Sequence, residues 1–210
     1  QHLTTRRQRQ MCIRDSCRHG QTEWNAENRK QGWLDSDLTE LGRNQAKALQ
    51  GGLKTFCQGN KFEVICSPLG RVRRTAQIAL ADANYVSEIS YDDRLKEQSF
   101  GAWEGLNSRE IEMSFPGMQE EREKDCWNFR LPEGESYAIL ENRLISFLDD
   151  INKSQNIILF CHEMVSKTLR KILLDLSEQE ALLLAHDQFS FFVINNKMMH
   201  QYNCNPEHEN

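Results

Sequence analysis

The chain has no stretch approaching the roughly 18 consecutive apolar residues that a membrane-spanning helix requires, and nothing near its start reads as a secretory signal. It also lacks a basic excess. Lys and Arg number 26 against 31 Asp and Glu, and the resulting net charge of −5 argues against a general nucleic-acid or membrane-facing surface. Any anion site must therefore be a local cluster of cations rather than a field spread over the molecule. The seven cysteines include no C-x-x-C pair, so zinc-site spacing is missing and no metal-ligand constellation is visible. An odd number of thiols in a chain that can build its own core reads as reduced cysteines in the cytoplasm. There are no internal repeats and no linker that would split the chain, so its 210 residues are read as one domain around one core.

Several elements are legible from periodicity. Thr39 as N-cap, followed by Leu41, Ala48, Leu49, Leu53 and Phe56 at helical spacing, predicts a helix over 39–56. The apolar run from Phe62 to Cys66, closed by Ser67-Pro68, predicts a buried strand. A helix over 71–83, with Val72, Ala76, Ala79 and Leu80 inward, and a short strand over 86–91 come next. Residues 107–132 are charge-rich and read as irregular. An amphipathic helix over 136–151, an apolar strand over 156–161 and a helix over 163–174 complete the alternation. The end of the chain reads as a hairpin of strands 188–194 and 198–203 around Asn195-Asn196, with Asn196 at positive φ. Strands alternating with helices predict a three-layer α/β/α sandwich with a mostly parallel central sheet.

The chemistry-bearing residues fall where such a sheet would bring them together, at the carboxyl ends of its strands. Arg18-His19-Gly20 is one such place. An imidazole can attack phosphorus, a guanidinium can fork two phosphate oxygens, and glycine allows close backbone approach. Ser67-Pro68-Leu69-Gly70-Arg71 is a strand end turning into a helix with arginine in its first turn. Leu95-Lys96-Glu97 leads into Phe100-Gly101-Ala102-Trp103-Glu104-Gly105. His162 stands where an apolar strand meets a helix start. Taken singly, each is an ordinary capping, packing or surface residue; their order and spacing give them meaning.

Together with Pro132 to Tyr137 (P-x-G-E-S-Y), the Gln31-Gly32-Trp33 turn and Leu38-Thr39-Glu40-Leu41-Gly42, this set resembles the histidine phosphatase superfamily, from about Cys17 to about Ile172. The resemblance implies that His19 is a nucleophile that becomes phosphohistidine, and that Arg18, Arg71 and His162 form a cationic pocket around the phosphoryl group. It implies that Glu97 protonates the leaving alkoxide and then activates water, with Glu104 as the alternative acid. Asn25 and the backbone of Gln31 and Gly32 would make lesser phosphate contacts. A glutamate acting as acid near neutral pH needs its pKa raised from roughly 4.3 towards 6–7, which partial burial near Phe100 and Trp103 would supply. Where the family usually has glycine after the second histidine, this chain has Glu163. Its backbone N–H can still donate to phosphate at the helix start, while its carboxylate is expected to turn outward.

The expected activity is metal-independent hydrolysis of small-molecule phosphate esters, with no cofactor and no nucleic-acid or membrane partner; the oligomeric state leaves room for a homodimer. Phosphoglycerate mutase-type transfer and a catalytically silent phospholigand-binding protein are the alternatives. The short string F-G-x-W-E-G resembles the phosphatase branch more than the mutases. Residues 1–16 hold four arginines and no apolar periodicity, and are read as a non-native or disordered extension before a domain over 17–203 and a flexible tail over 204–210. The family's first strand is buried and apolar, whereas here it would contain Arg14 and Asp15, whose burial without partners costs several kcal/mol each.

Overall fold

The computed structural model describes residues 13–151, 156–195 and 197–205. Six strands form one sheet: β1 (Ile13–Arg18), β2 (Phe62–Cys66), β3 (Val86–Tyr91), β4 (Ile157–Cys161), β5 (Ser190–Asn195) and β6 (Met198–Asn203), in the order β3-β2-β4-β1-β5-β6. The four strands on the β3 side are parallel, β5 pairs antiparallel with β1, and β6 pairs antiparallel with β5. All five residues of β4 are buried, which is why they form a continuous apolar run with no polar alternation. Ile157, Leu159 and Cys161 enter one core, while Ile158 and Phe160 enter the other.

The helices complete the three layers. Leu49 and Leu53 of α2 (Glu40–Phe56) and Val72 and Ala76 of α3 (Gly70–Ala79) cover one face. Leu140, Leu144 and Phe147 of α6 (Tyr137–Asp150) and Val165 and Leu169 of α7 (Glu163–Leu174) cover the other. Before α2 lies the short α1 (Glu23–Ala26), and after α7 lies α8 (Glu178–Leu183), which the sequence reading missed. No helix among the described residues is long and apolar enough to cross a membrane.

Three sequence expectations need correction. Ile13 to Ser16, assigned to an extension, lie in β1; the strand pairs with β4 on one side and β5 on the other, and a register shift between Ile13 and Asp15 interrupts its ladder. The paired positions of these two neighbours, not local composition, make this segment a strand. Residues 107–132 hold two short helices, α4 (Ser108–Ser114) and α5 (Met118–Lys124), the first started by an Asn107–Glu110 capping box. Leu41, expected inward on α2, is 43% exposed; the helix instead turns Gly42 inward, where only glycine fits, since a Cβ there would lie 2.0 Å from the Gln21 carbonyl oxygen. The positive φ expected at Asn196, the extension up to residue 12 and the tail beyond residue 205 lie outside the described residues.

Candidate active site

The carboxyl ends of β1, β2 and β4, adjacent in the sheet, deliver Arg18-His19, Ser67 and His162 to one place. His19 is 4% exposed, and its backbone N–H continues the ladder to the Cys161 carbonyl at 3.2 Å. Its Nδ1 lies 2.8 Å from the Gly20 carbonyl oxygen. A carbonyl only accepts, so that contact assigns the proton to Nδ1 and leaves the lone pair on Nε2. Nε2 in turn accepts from Arg71 Nε at 3.3 Å. Burial, then the charges of Arg71 and Arg18, hold the His19 pKa well below 6.5, so the ring is neutral and nucleophilic. The loop behind it is pinned by Gly20 N–H donating to Thr75 Oγ1 at 3.0 Å and by Gln188 Nε2 donating to the His19 carbonyl at 3.1 Å.

His162 is fully buried at the N-cap of α7, its ring edge-on to that of His19 at 5.2 Å. Nε2 meets Ser67 Oγ at 2.8 Å, and Nδ1 is buried without a hydrogen-bond partner among the described residues. Burial and the nearby Arg71 charge depress its pKa as well. Arg71 is 1% exposed and tied on all sides, with Nη2 donating to the Gly32 carbonyl at 2.8 Å and Nη1 to the Leu34 carbonyl at 2.8 Å and Asp35 at 3.0 Å. Asp35 also accepts the backbone N–H groups of Gly70 and Arg71, so one carboxylate caps α3 and aims its first arginine. Sequence reading missed Asp35, because a cap supplied from 35 residues upstream leaves no local signal.

Glu97 is 7% exposed, and burial raises its pKa, against the opposing pull of the Gln98 N–H at 2.9 Å, the Arg71 charge and the Met164 N–H at 3.4 Å. Its backbone is held firmly: Trp33 Nε1 and Arg143 Nη2 both donate to its carbonyl at 2.8 Å. Arg143 is paired with Glu135 at 3.0 Å, and Glu135 accepts from Ser99 N–H at 2.9 Å; the P-x-G-E-S-Y string therefore braces the acid's loop.

A cavity of about 480 Å³ joins these groups, with Arg18, His19, Lys30, Arg71, Glu97 and Glu163 on its wall. A larger groove of about 930 Å³ between α2 and the β5–β6 hairpin is lined by neither histidine nor carboxylate. Asn25, Gln31 and Gly32 also reach the smaller cavity, where Asn25 Oδ1 and Gln31 Nε2 are held by local partners. Asn25 Oδ1 accepts from Thr22 N–H at 3.2 Å in the cap of α1, and Gln31 Nε2 donates to Thr22 Oγ1 at 2.7 Å. Gly32 sits at φ +55°, and a Cβ there would lie 2.1 Å from Glu104 Oε1.

Two expected roles change. Glu104 accepts from the N–H groups of Trp33 at 2.9 Å, Leu34 at 3.2 Å and Phe100 at 3.0 Å; it fastens the Gly32 turn rather than standing in as an acid. The Glu163 carboxylate does not turn outward but pairs with Arg18 at 2.8 Å and Lys167 at 3.2 Å. Arg18 Nη1 donates to the His186 carbonyl at 2.7 Å. Lys30, not anticipated as a site residue, lies half-buried on the wall with its Nζ 5.8 Å over the Phe100 ring and without an ion pair among the described residues.

A neutral imidazole, one buried and one partly exposed guanidinium group and a protonatable carboxyl on one cavity are the parts that phosphoryl transfer needs. Comparison with known proteins agrees. The chain is 30% identical over 181 residues to phosphoserine phosphatase 1 of Hydrogenobacter thermophilus, covering 84% of this chain and 83% of the relative. It is 35% identical over 132 residues to a probable phosphoglycerate mutase, GpmB, of Escherichia coli, covering 63% of this chain and 59% of that one. A mycobacterial glucosyl-3-phosphoglycerate phosphatase, solved with VO3, superposes with a TM-score of 0.71 at 28% identity over 86% of this chain and 90% of its own. Residues 17–200 match the histidine phosphatase superfamily (branch 1), and the chain belongs to that family.

Proposed function

We propose that this phosphatase hydrolyses small-molecule phosphomonoesters in two metal-free displacements through a phosphohistidine on His19. The observation that carries the reading is the fixed tautomer of His19: Nδ1–H on the Gly20 carbonyl leaves the Nε2 lone pair beside Arg71. In the first step Nε2 attacks phosphorus, the P–O ester bond breaks, and the leaving alkoxide takes the proton of the Glu97 carboxyl. In the second, Glu97 carboxylate takes a proton from water as its oxygen attacks phosphorus. The P–N bond breaks, its electron pair returns to Nε2, and phosphate leaves.

Arg18 and Arg71 balance the charge on the equatorial oxygens. In this reading His162 Nε2 accepts the Ser67 hydroxyl proton at 2.8 Å and Nδ1 carries the ring proton, which it donates to the phosphoryl group. The opposite pKa directions of His19 and Glu97 support a pH window in which the nucleophile is neutral and the acid protonated. Free thiols at Cys66, Cys126 and Cys161 suit a cytoplasmic enzyme.

The test is p-nitrophenyl phosphate hydrolysis in EDTA by the protein and its His19→Ala variant. Phosphate release by the first and loss of at least about 10³-fold in the second is expected for removal of a nucleophile. Strong inhibition by EDTA, or substantial activity without His19, would defeat the mechanism. Retention of label within a phosphoglycerate pool, in place of phosphate release, would replace hydrolysis by mutase transfer.

A further inference from the structure

The Arg18–Glu163 pair sets a problem that the hydrolytic scheme leaves open. Glu163 directly follows His162 in the first turn of α7, and its Oε2 lies 2.8 Å from Arg18 Nη2. Both side chains are on the cavity wall and only partly exposed, at 17% for Arg18 and 27% for Glu163. An incoming phosphoryl group therefore meets a carboxylate already bound to one of its own cations. Like charges this close repel strongly in a part-buried site, so carboxylate and phosphate cannot share Nη2. The carboxylate has somewhere to go. Lys167, one turn further along α7, already holds Oε1 at 3.2 Å and is 14% exposed. Moving fully onto Lys167 keeps the anion paired, whereas leaving it buried and unpaired would be expensive.

We propose that Glu163 is a built-in competitor for the phosphoryl site: an anion that occupies Arg18 until a phosphoryl group displaces it onto Lys167. This rests on the reading of the cavity as the phosphoryl site. The exchange weakens every phosphoryl ligand by the same factor, inorganic phosphate included. Glu163 thereby speeds phosphate release.

Lys167 acts through Glu163 in this scheme, and a double-mutant cycle separates that from a simple sum of charges. The assay is calorimetric titration of inorganic phosphate into the protein, Glu163→Gln, Lys167→Met and the double variant, with thermal melts confirming that each is folded. Glu163→Gln is expected to bind phosphate about tenfold more tightly and Lys167→Met several-fold more weakly, the scale of close charge pairs at binding sites. In the Glu163→Gln background, Lys167→Met is expected to have no further effect. Unchanged or weaker binding by Glu163→Gln overturns the proposal, and so does an undiminished Lys167 effect in the double variant; either leaves the phosphoryl-site reading standing. Absence of phosphate binding by all four proteins overturns that reading and this proposal with it.

Discussion

Replacing Glu97 by Gln removes a proton donor while keeping shape and burial. General acid catalysis contributes about 10²–10⁴ in rate, or about 3–5 kcal/mol of barrier. That contribution is needed only where the leaving oxygen is a strong base. For an alkyl phosphate, kcat/KM is expected to fall by about 10²–10³, and for p-nitrophenyl phosphate, whose leaving group is stable as an anion, by less than about tenfold. The structure also sets the side effect. Glu97 accepts from Gln98 N–H at 2.9 Å and Met164 N–H at 3.4 Å, and an amide offers only one oxygen, so one of these donors loses its acceptor. Leaving a buried N–H unmet costs about 1–3 kcal/mol of stability. The ratio of kcat/KM between the two esters cancels any loss of folded enzyme, and it is the quantity to measure. Because kcat/KM ends at the first irreversible step, it also excludes the later role of Glu97 in activating water. Activity that requires the protonated acid falls as pH rises through its raised pKa, so this alkaline limb should vanish in the variant. Equal losses for both esters, or an unchanged alkaline limb, would refute the assignment.

Stability should also depend on pH in a way the buried histidines dictate. His19, His162 and His186 all have folded pKa values well below 6.5, so below that pH the unfolded chain binds protons that the folded chain does not, and stability falls as pH falls. Each histidine should cost about 1 kcal/mol between pH 7 and 5.5, with Glu97, raised rather than lowered, opposing them in part; urea unfolding at the two pH values measures the difference, and equal stability would contradict three neutral imidazoles. Lys30, a cation on the cavity wall without an ion pair among the described residues, should favour esters whose alcohol carries a second negative charge. Lys30→Met is expected to raise KM about tenfold for a carboxylate-bearing ester and little for a neutral alkyl one, and parallel changes in both would remove it from recognition.

Much of this architecture was legible because local chemistry and tertiary role coincide. The run Ile157 to Cys161 is apolar on both faces because both faces are covered, and Thr39 and Ser136 cap the helices they precede. Arg18, His19, Arg71, Glu97 and His162 are each marked by a distinctive string, and all five line or adjoin one cavity. What escaped notice is set at a distance. β1 looks unlike a central strand until β4 and β5 flank it, and the phase of α2 is chosen by contact between Gly42 and the Gln21 backbone. Asp35 and Gln188 act across the sheet end on Arg71 and His19, where no spacing rule reaches. The Glu104 and Glu163 carboxylates were visible as residues, but their partners, three backbone N–H groups in one case and two cations in the other, were not.

The place of β1 in the sheet has a consequence for the order in which this enzyme becomes an enzyme. The strand that carries Arg18 and leads directly to His19 has ladder partners only in β4 and β5, which begin at Ile157 and Ser190. At synthesis rates of about 5–20 residues per second, the strand leading to His19 therefore waits on the order of ten seconds or more for its first neighbour. The β2–α3–β3 portion can pair locally in the meantime, with Phe62 already matched to Val86. Catalytic competence on the ribosome should thus arrive abruptly and late, when the last third of the chain closes around a strand made near the beginning. A nascent chain halted before β5 should be silent towards phosphate esters even with every catalytic side chain already synthesised.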